Sequence, residues 1–419
     1  MLWKGGNMSV KHKKELVINI LFLISACLVI GNLLVGIEGF LAKGGENADD
    51  FTMRYRESRY LAGGVNPFDV VFGHKKATSI GDLWDVAGYT PWGMVYGILI
   101  NFIFLPEKYA RICFFALFLC LMSGTACFLY RMVARSHSQK SGILFVLLAF
   151  SISGWGTGLS WLNFGALFGV MIFLAVTLIE DHPVCSGLLF GLAAAKPQLA
   201  LPFYMGLIIK KKYKTLLPAI VLPLFAWIAA AILTGTSMLQ LLLQNMEVMK
   251  IVSGQLGNWI SSLTIYFDLD AANGNIQITG AICCIVLAVY VWRCMLKNHM
   301  EDNLDFFSVA AILSGMWTYS QAHDRTVLIV ALAAIWKKHG EWWMVFFCLS
   351  VILDSFNAAR LLSYCIPAGA APSLVFDFIK YAIWAGSLFY FIQPAAQSRL
   401  ENMQKREIGE NEEKDHTYF

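Results

Sequence analysis

Charge is scarce in this chain. Only 14% of its 419 residues are Asp, Glu, Lys or Arg, 58% are hydrophobic, and the mean hydropathy is +0.60. Soluble domains carry about 25% charged residues, so a water-soluble globular fold is excluded. Paired cysteine motifs are lacking too. The ten cysteines form no CxxC pair and no His/Cys cluster, and nine lie inside apolar runs, where Cys behaves as a small hydrophobe. That pattern excludes a disulfide framework and a zinc-type site. No internal repeat is visible, which removes the usual mark of repeat-built transporters. The formal charge of +4 comes from short Lys/Arg clusters between apolar runs, so no basic face exists to hold nucleic acid.

What the chain does have is apolar runs, recurring from residue 16 to residue 393 at lengths near the roughly 20 residues a bilayer span needs. This is an all-α, polytopic membrane protein. Lys11, Lys13 and Lys14 precede the first run and place the N-terminus in the cytoplasm; alternation of the later Lys/Arg clusters gives about twelve crossings. Residues 1–15 are then a cytoplasmic N-terminus, 16–393 the membrane domain with an outer loop at 37–89, and 394–419 a polar cytoplasmic tail. The stretch Ile24-Ser25-Ala26-Cys27 fits a lipoprotein cleavage box but sits mid-run, so it reads as part of an uncleaved signal anchor. Pro91 to Leu105 is short enough to be a half-crossing, and Lys196-Pro197-Gln198 separates two short runs as a helix break.

On this topology the outer side receives three polar groupings, Asp49-Asp50, Lys196-Pro197-Gln198 and His323-Asp324-Arg325. Charges set so closely in apolar sequence are costly, so binding or catalysis is the default reading, with ion pairs between helices as the bland alternative. The segment 51–62 is expected to be a short surface helix with Phe51, Tyr55 and Tyr60 in the headgroup layer, and Trp155, Trp161 and Trp259 are expected as interfacial anchors. A second long outer loop covers 234–275.

Asp50-Phe51 followed by Gly64-Val65-Asn66-Pro67-Phe68, then Tyr89-Thr90-Pro91, then Ser186-Gly187 through Ala195-Lys196-Pro197, then Ser320-Gln321-Ala322-His323-Asp324 form an ordered set. In order and spacing it resembles the family 87 glycosyltransferases, from about residue 20 to about residue 340. Arg54 stands where that family usually has an aromatic residue, and Trp161-Leu162-Asn163 replaces a more usual Gly-Gln before its Asn. The resemblance implies a GT-C-type helical bundle that moves a sugar, such as mannose or a pentose, from a polyprenyl-phosphate donor.

The chemistry can be argued from the residues. An acceptor hydroxyl needs a base, and a carboxylate serves. The leaving phosphate is already a stable anion, so a second, acidic carboxyl is less necessary than in glycoside hydrolysis. Asp50 is assigned as base with Asp49 in reserve. Lys196 and Arg325 are assigned to the phosphate, with His323 and Gln198 beside them. The partners implied are a lipid-linked sugar, a glycolipid or glycan acceptor and membrane lipid, with no nucleic acid. No cofactor or metal is assigned, although a divalent ion at Asp49-Asp50 stays open. The rival reading is a transporter or flippase, which would set its charges near the bilayer midplane.

Overall fold

The computed structural model is helical throughout its described residues, which are 10–42, 50–83, 89–135, 138–255, 274–300, 302–318, 320–337 and 371–392. In chain order the helices are α1 (Val10–Ala42), α2 (Asp50–Ala62), α3 (Pro67–Val71), α4 (Pro91–Ile100), α5 (Glu107–Ala134), α6 (Gln139–Phe150), α7 (Ser153–Trp161), α8 (Gly165–Leu178), α9 (Pro183–Ala193), α10 (Pro197–Ile209), α11 (Tyr213–Thr234), α12 (Met238–Gln255), α13 (Gly274–Lys297) and α14 (Asn303–Ser314). A 3-10 helix (Ala322–Leu328) then runs into α15 (Ile329–Lys337), and α16 (Ala371–Tyr390) follows.

Helix ends follow local chemistry. Proline opens α3, α4, α9 and α10, where its missing N–H costs nothing. Asn66 and Thr90 cap α3 and α4 by accepting from the amides of Phe68 and Gly93. Gly235, in a left-handed conformation at φ 64°, ends α11.

Length and composition give four helices able to cross a bilayer, α1 (as Glu15–Ala42), α5, α11 and α13 (as Ile278–Lys297), and a fifth if α6 and α7, bent by 54°, count as one. The expected twelve crossings do not emerge among the described residues. The reason is that α4, α8, α9, α10 and α14 are apolar helices of 10–17 residues, each too short to span alone. The short run from Pro91 and the break at Lys196-Pro197 are visible in the sequence, whereas residues 164–179 read there as a full crossing and form a helix of only 14 residues.

Two expectations about aromatic residues are corrected. The helix α2 is enclosed: Phe51, Tyr55 and Tyr60 are at most 1% exposed. Phe51 packs on Phe114, the Tyr55 hydroxyl donates to the Leu105 carbonyl, and the Tyr60 hydroxyl donates to the Gly81 carbonyl. Trp155 is likewise 1% exposed, stacked on Phe150 with its Nε1 donating to the Ala149 carbonyl, so it is core rather than an interfacial anchor. Trp161, at 42% exposed, stays at the surface, and Trp259 lies outside the described residues.

Candidate active site

Three helices share a direction, and that direction makes the site. Asn163 precedes α8 and Glu180 follows it; Lys196 precedes α10 and Lys210 follows it; His323 and Asp324 open the run that ends α15 at Lys337. At about 1.5 Å per residue, the two ends of α10 are some 20 Å apart. One end of the bundle therefore gathers Asn163, Lys196, His323 and Asp324, and the other gathers Glu180, Lys210 and Lys337.

The first end is built by close approach and one strained turn. Leu162, fully buried, sits in the left-handed region at φ 48°, which for a side-chain-bearing residue costs about 1–2 kcal/mol. The turn closes α7 through the Asn163 amide, which donates to the Gly158 carbonyl at 2.9 Å, and it throws the Asn163 side chain inward. Its Oδ1 accepts from the Gly165 amide at 2.7 Å, opening α8. Gly165 must be glycine: a Cβ there would lie 2.5 Å from Asp324 Oδ1 and 2.9 Å from the His323 carbonyl. Gly169, one turn on, leaves room for Thr326 in the same way.

A continuous polar chain results. Asn163 Nδ2 donates to Asp50 Oδ2 at 2.5 Å; Lys196 Nζ donates to Asn163 Oδ1 at 3.1 Å and to Asp324 Oδ1 at 2.7 Å. The Lys196 and Asp324 side chains are only 9% and 1% exposed. The Gln321 amide donates to Asp324 Oδ2, so the carboxylate also caps its own 3-10 helix. Burial by itself would raise the Asp324 carboxyl, but the Lys196 ammonium, His323 and the hydrogen bonds outweigh it and hold the group below the usual carboxylate range.

His323 is pushed down to about 4 by burial and by the Lys196 charge, so it is a neutral imidazole at pH 7. Its Nε2 is buried, 3.7 Å from Asp324 Oδ1, with no hydrogen bond among the described residues. Gln198 is buried in the first turn of α10, with its carbonyl held by Trp317 Nε1. Arg325 is half-buried, and its charge acts on His323. Asp49 lies outside the described residues.

A second group was not assigned from sequence. Arg54 lies one turn after Asp50 on α2, pairs with Glu57 at 2.7 Å, and places its guanidinium 4.1 Å from the Tyr89 ring centroid. The Glu57 side chain is 0% exposed, and a carboxylate buried so completely needs this cation. Spacing was the available signal: Asp50, Arg54 and Glu57 fall at i, i+4 and i+7, one helix face. Asp324, read in sequence only as part of a polar grouping, turns out to be the partner of Lys196. Tyr89-Thr90-Pro91 is placed through α4, because the Thr90 hydroxyl donates to the Ala195 carbonyl and Trp92 Nε1 to the Ala194 carbonyl. The turn before Lys196 is thus held from the side of α4.

Among the described residues no group of three or more His, Cys, Asp or Glu is placed to hold a metal ion. The cations Arg54, Lys196 and Arg325 stand against Asp50, Glu57 and Asp324. This arrangement can accept a proton at Asp50 and can face an anion with cations, a neutral imidazole and the amide ends of α2, α8 and α10, which all begin here.

The sequence profile of glycosyltransferase family 87 matches residues 89–321, more than half the chain, and the protein belongs to that family. It is a glycosyltransferase built of membrane-capable helices. No curated protein and no solved structure matches it. The matched region contains Asn163, Lys196 and Gln198 and stops short of Asp50, His323, Asp324 and Arg325, whose place in the site rests on geometry.

Proposed function

We propose that the protein transfers a sugar from a polyprenyl-phosphate donor to a hydroxyl of a glycolipid or glycan acceptor, with inversion, at the outer face of the cell membrane. The observation that carries this reading is the polar chain from Asp50 through Asn163 to Lys196 and Asp324. It sets a carboxylate and a buried cation on the two sides of one asparagine, as a displacement with a base and a leaving phosphate requires.

In the step itself the acceptor oxygen forms a bond to the anomeric carbon from the face opposite the phosphate. Its proton passes to Asp50, and the anomeric carbon–oxygen bond breaks with its electron pair going to the phosphate. Lys196 has three N–H donors, two of them already committed to Asn163 and Asp324, which leaves one for the phosphate. Arg325 adds charge, and His323, being neutral, acts through its unpartnered Nε2 as a hydrogen-bonding group rather than a cation. Asp324 holds Lys196 in place through the 2.7 Å ion pair.

The test is transfer from synthetic polyprenyl-phosphate mannose and pentose donors by the purified protein, with the anomeric configuration of the product determined. An inverted product supports the reading, while a retained one rejects the single displacement. Orientation is tested by labelling with an impermeant thiol reagent. Cysteines placed at Asn47 and Ala322 should react from outside intact cells and one at His339 should not; reaction at 339 would reverse the assigned face.

A further inference from the structure

The helix α12 follows α11 after only Gly235, Thr236 and Ser237 and has two faces of different character. Its inner face is anchored. Leu241, Asn245 and Val248 are at most 5% exposed; Asn245 Nδ2 donates to the Tyr89 carbonyl at 3.2 Å, and Gln244 bridges Asn66 at 2.9 Å and Asp69 at 3.1 Å. Its outer face is apolar instead of polar. Leu239, Leu243 and Met246 are 64%, 55% and 51% exposed, at the i, i+4, i+7 spacing of one stripe. Gln240 and Glu247 flank that stripe.

The stripe comes directly after a candidate span whose own exposed face is apolar. The helix α11 is a candidate span only 22% buried, and towards its end Phe225, Ile228 and Ile232 are 67%, 37% and 74% exposed. That end lies on the site's side of the bundle, since α11 starts beside the Lys212–Glu180 pair at the opposite end and Asn245, beyond it on α12, reaches the Tyr89 carbonyl. By composition α12 is not itself a span. An amphipathic helix whose apolar face prolongs the lipid-facing wall of a span, while its polar flank turns to water, has the features of a helix lying in the membrane interface.

We propose that α12 lies in the membrane interface on the side of the active site, with Leu239, Leu243 and Met246 seated in the acyl chains of the surrounding bilayer. Through Asn245 it ties the bilayer to Tyr89, whose ring carries the Arg54 guanidinium, so the depth of α12 sets the position of one wall of the site. The occupant is bulk phospholipid, which separates this role from a groove for the donor's polyprenyl chain.

The experiment uses the full chain in liposomes of phosphatidylethanolamine and phosphatidylglycerol containing a trace of acyl-radiolabelled phospholipid. A photoreactive benzoylphenylalanine is placed in turn at Leu239, Leu243, Met246 and Glu247. Irradiation should label the first three positions at least five-fold more than Glu247, and polyprenyl phosphate at a few mole percent should not compete. Equal or absent labelling at the three apolar positions would overturn the proposal by putting the face in water or under protein. Labelling abolished by polyprenyl phosphate would also overturn it, assigning the stripe to the donor chain. If one variant fails to accumulate, the other two positions still decide, and no outcome depends on sugar transfer.

Discussion

Both ends of the bundle hold a lysine and a carboxylate 2.7 Å apart, and the two pairs have opposite meanings. At one end Lys196 meets Asp324 with side chains 9% and 1% exposed; at the other Lys212 meets Glu180 with side chains 28% and 59% exposed. The exposed pair belongs to a wet network in which Asn303 also donates to Glu180, Lys210 reaches Asn303, and Lys337 pairs with Asp302. Such surface pairs contribute about 0–1 kcal/mol. The buried pair has given up its hydration, and losing either partner leaves a bare charge costing about 3–5 kcal/mol. Equal distances thus conceal unequal settings: the wet end ties helices together at the surface, and the dry end holds the groups proposed to carry the chemistry.

The largest effect expected from this contrast is at Lys196. Lys196→Gln should reduce transfer strongly while leaving it measurable, weaken donor use more than acceptor use, and lower stability in detergent by about 3–5 kcal/mol by stranding Asp324. Adding Asp324→Asn should recover most of the stability and none of the transfer, a coupling that a double-mutant cycle reads directly. Donor dependence unchanged in Lys196→Gln, at equal protein level, would return the pair to a purely structural role. Arg325→Gln should weaken donor use with a smaller loss of stability, as its side chain is only half-buried.

A smaller effect concerns pH. His323 binds its proton near 4 in the folded protein and near 6.5 when unfolded. Between those values the unfolded chain holds the extra proton, so this residue makes stability rise with pH across that window. His323→Gln should flatten that rise in thermal unfolding measured from pH 4 to 7; an unchanged slope would show that the imidazole is not buried neutral.

The smallest effect lies at the wet end. Glu180 is held below the usual carboxylate range by hydrogen bonds from Lys212 and Asn303. Its contribution is present above the unfolded value of 4.5 and is lost as pH falls through the lower folded value. Lys212→Gln should change stability by less than about 1 kcal/mol and leave transfer untouched. A Lys212→Gln loss matching that of Lys196→Gln would erase the distinction between the ends.

The sequence made this contrast only partly legible. Asp50, Lys196 and His323 stood out because charge and imidazole in apolar surroundings are expensive, and the structure brings Lys196 and His323 to one carboxylate and joins Asp50 through Asn163. The partnership of Lys196 with Asp324 was not readable, because it depends on Gly165 admitting the 3-10 helix from residues far along the chain. Nor was the enclosure of α2 readable, since a helix with Arg54, Arg56, Glu57 and Arg59 looks wet until Glu57 and Arg54 are seen to pair inside. Span counting took the run 164–179 as a full crossing, although α8 holds only 14 residues, whereas the breaks at Asn163, His182 and Lys196 were legible as polar turns between apolar runs.

The central claim is that Asp50 takes the acceptor's proton. Asp50→Asn keeps the shape of the side chain and removes the basic oxygen. The measurement is transfer from a synthetic polyprenyl-phosphate sugar by purified wild type and Asp50→Asn, with donor binding determined on the same samples. The account predicts turnover reduced by roughly 10²-fold or more with donor affinity retained, and near-normal transfer by Asp50→Asn would contradict it.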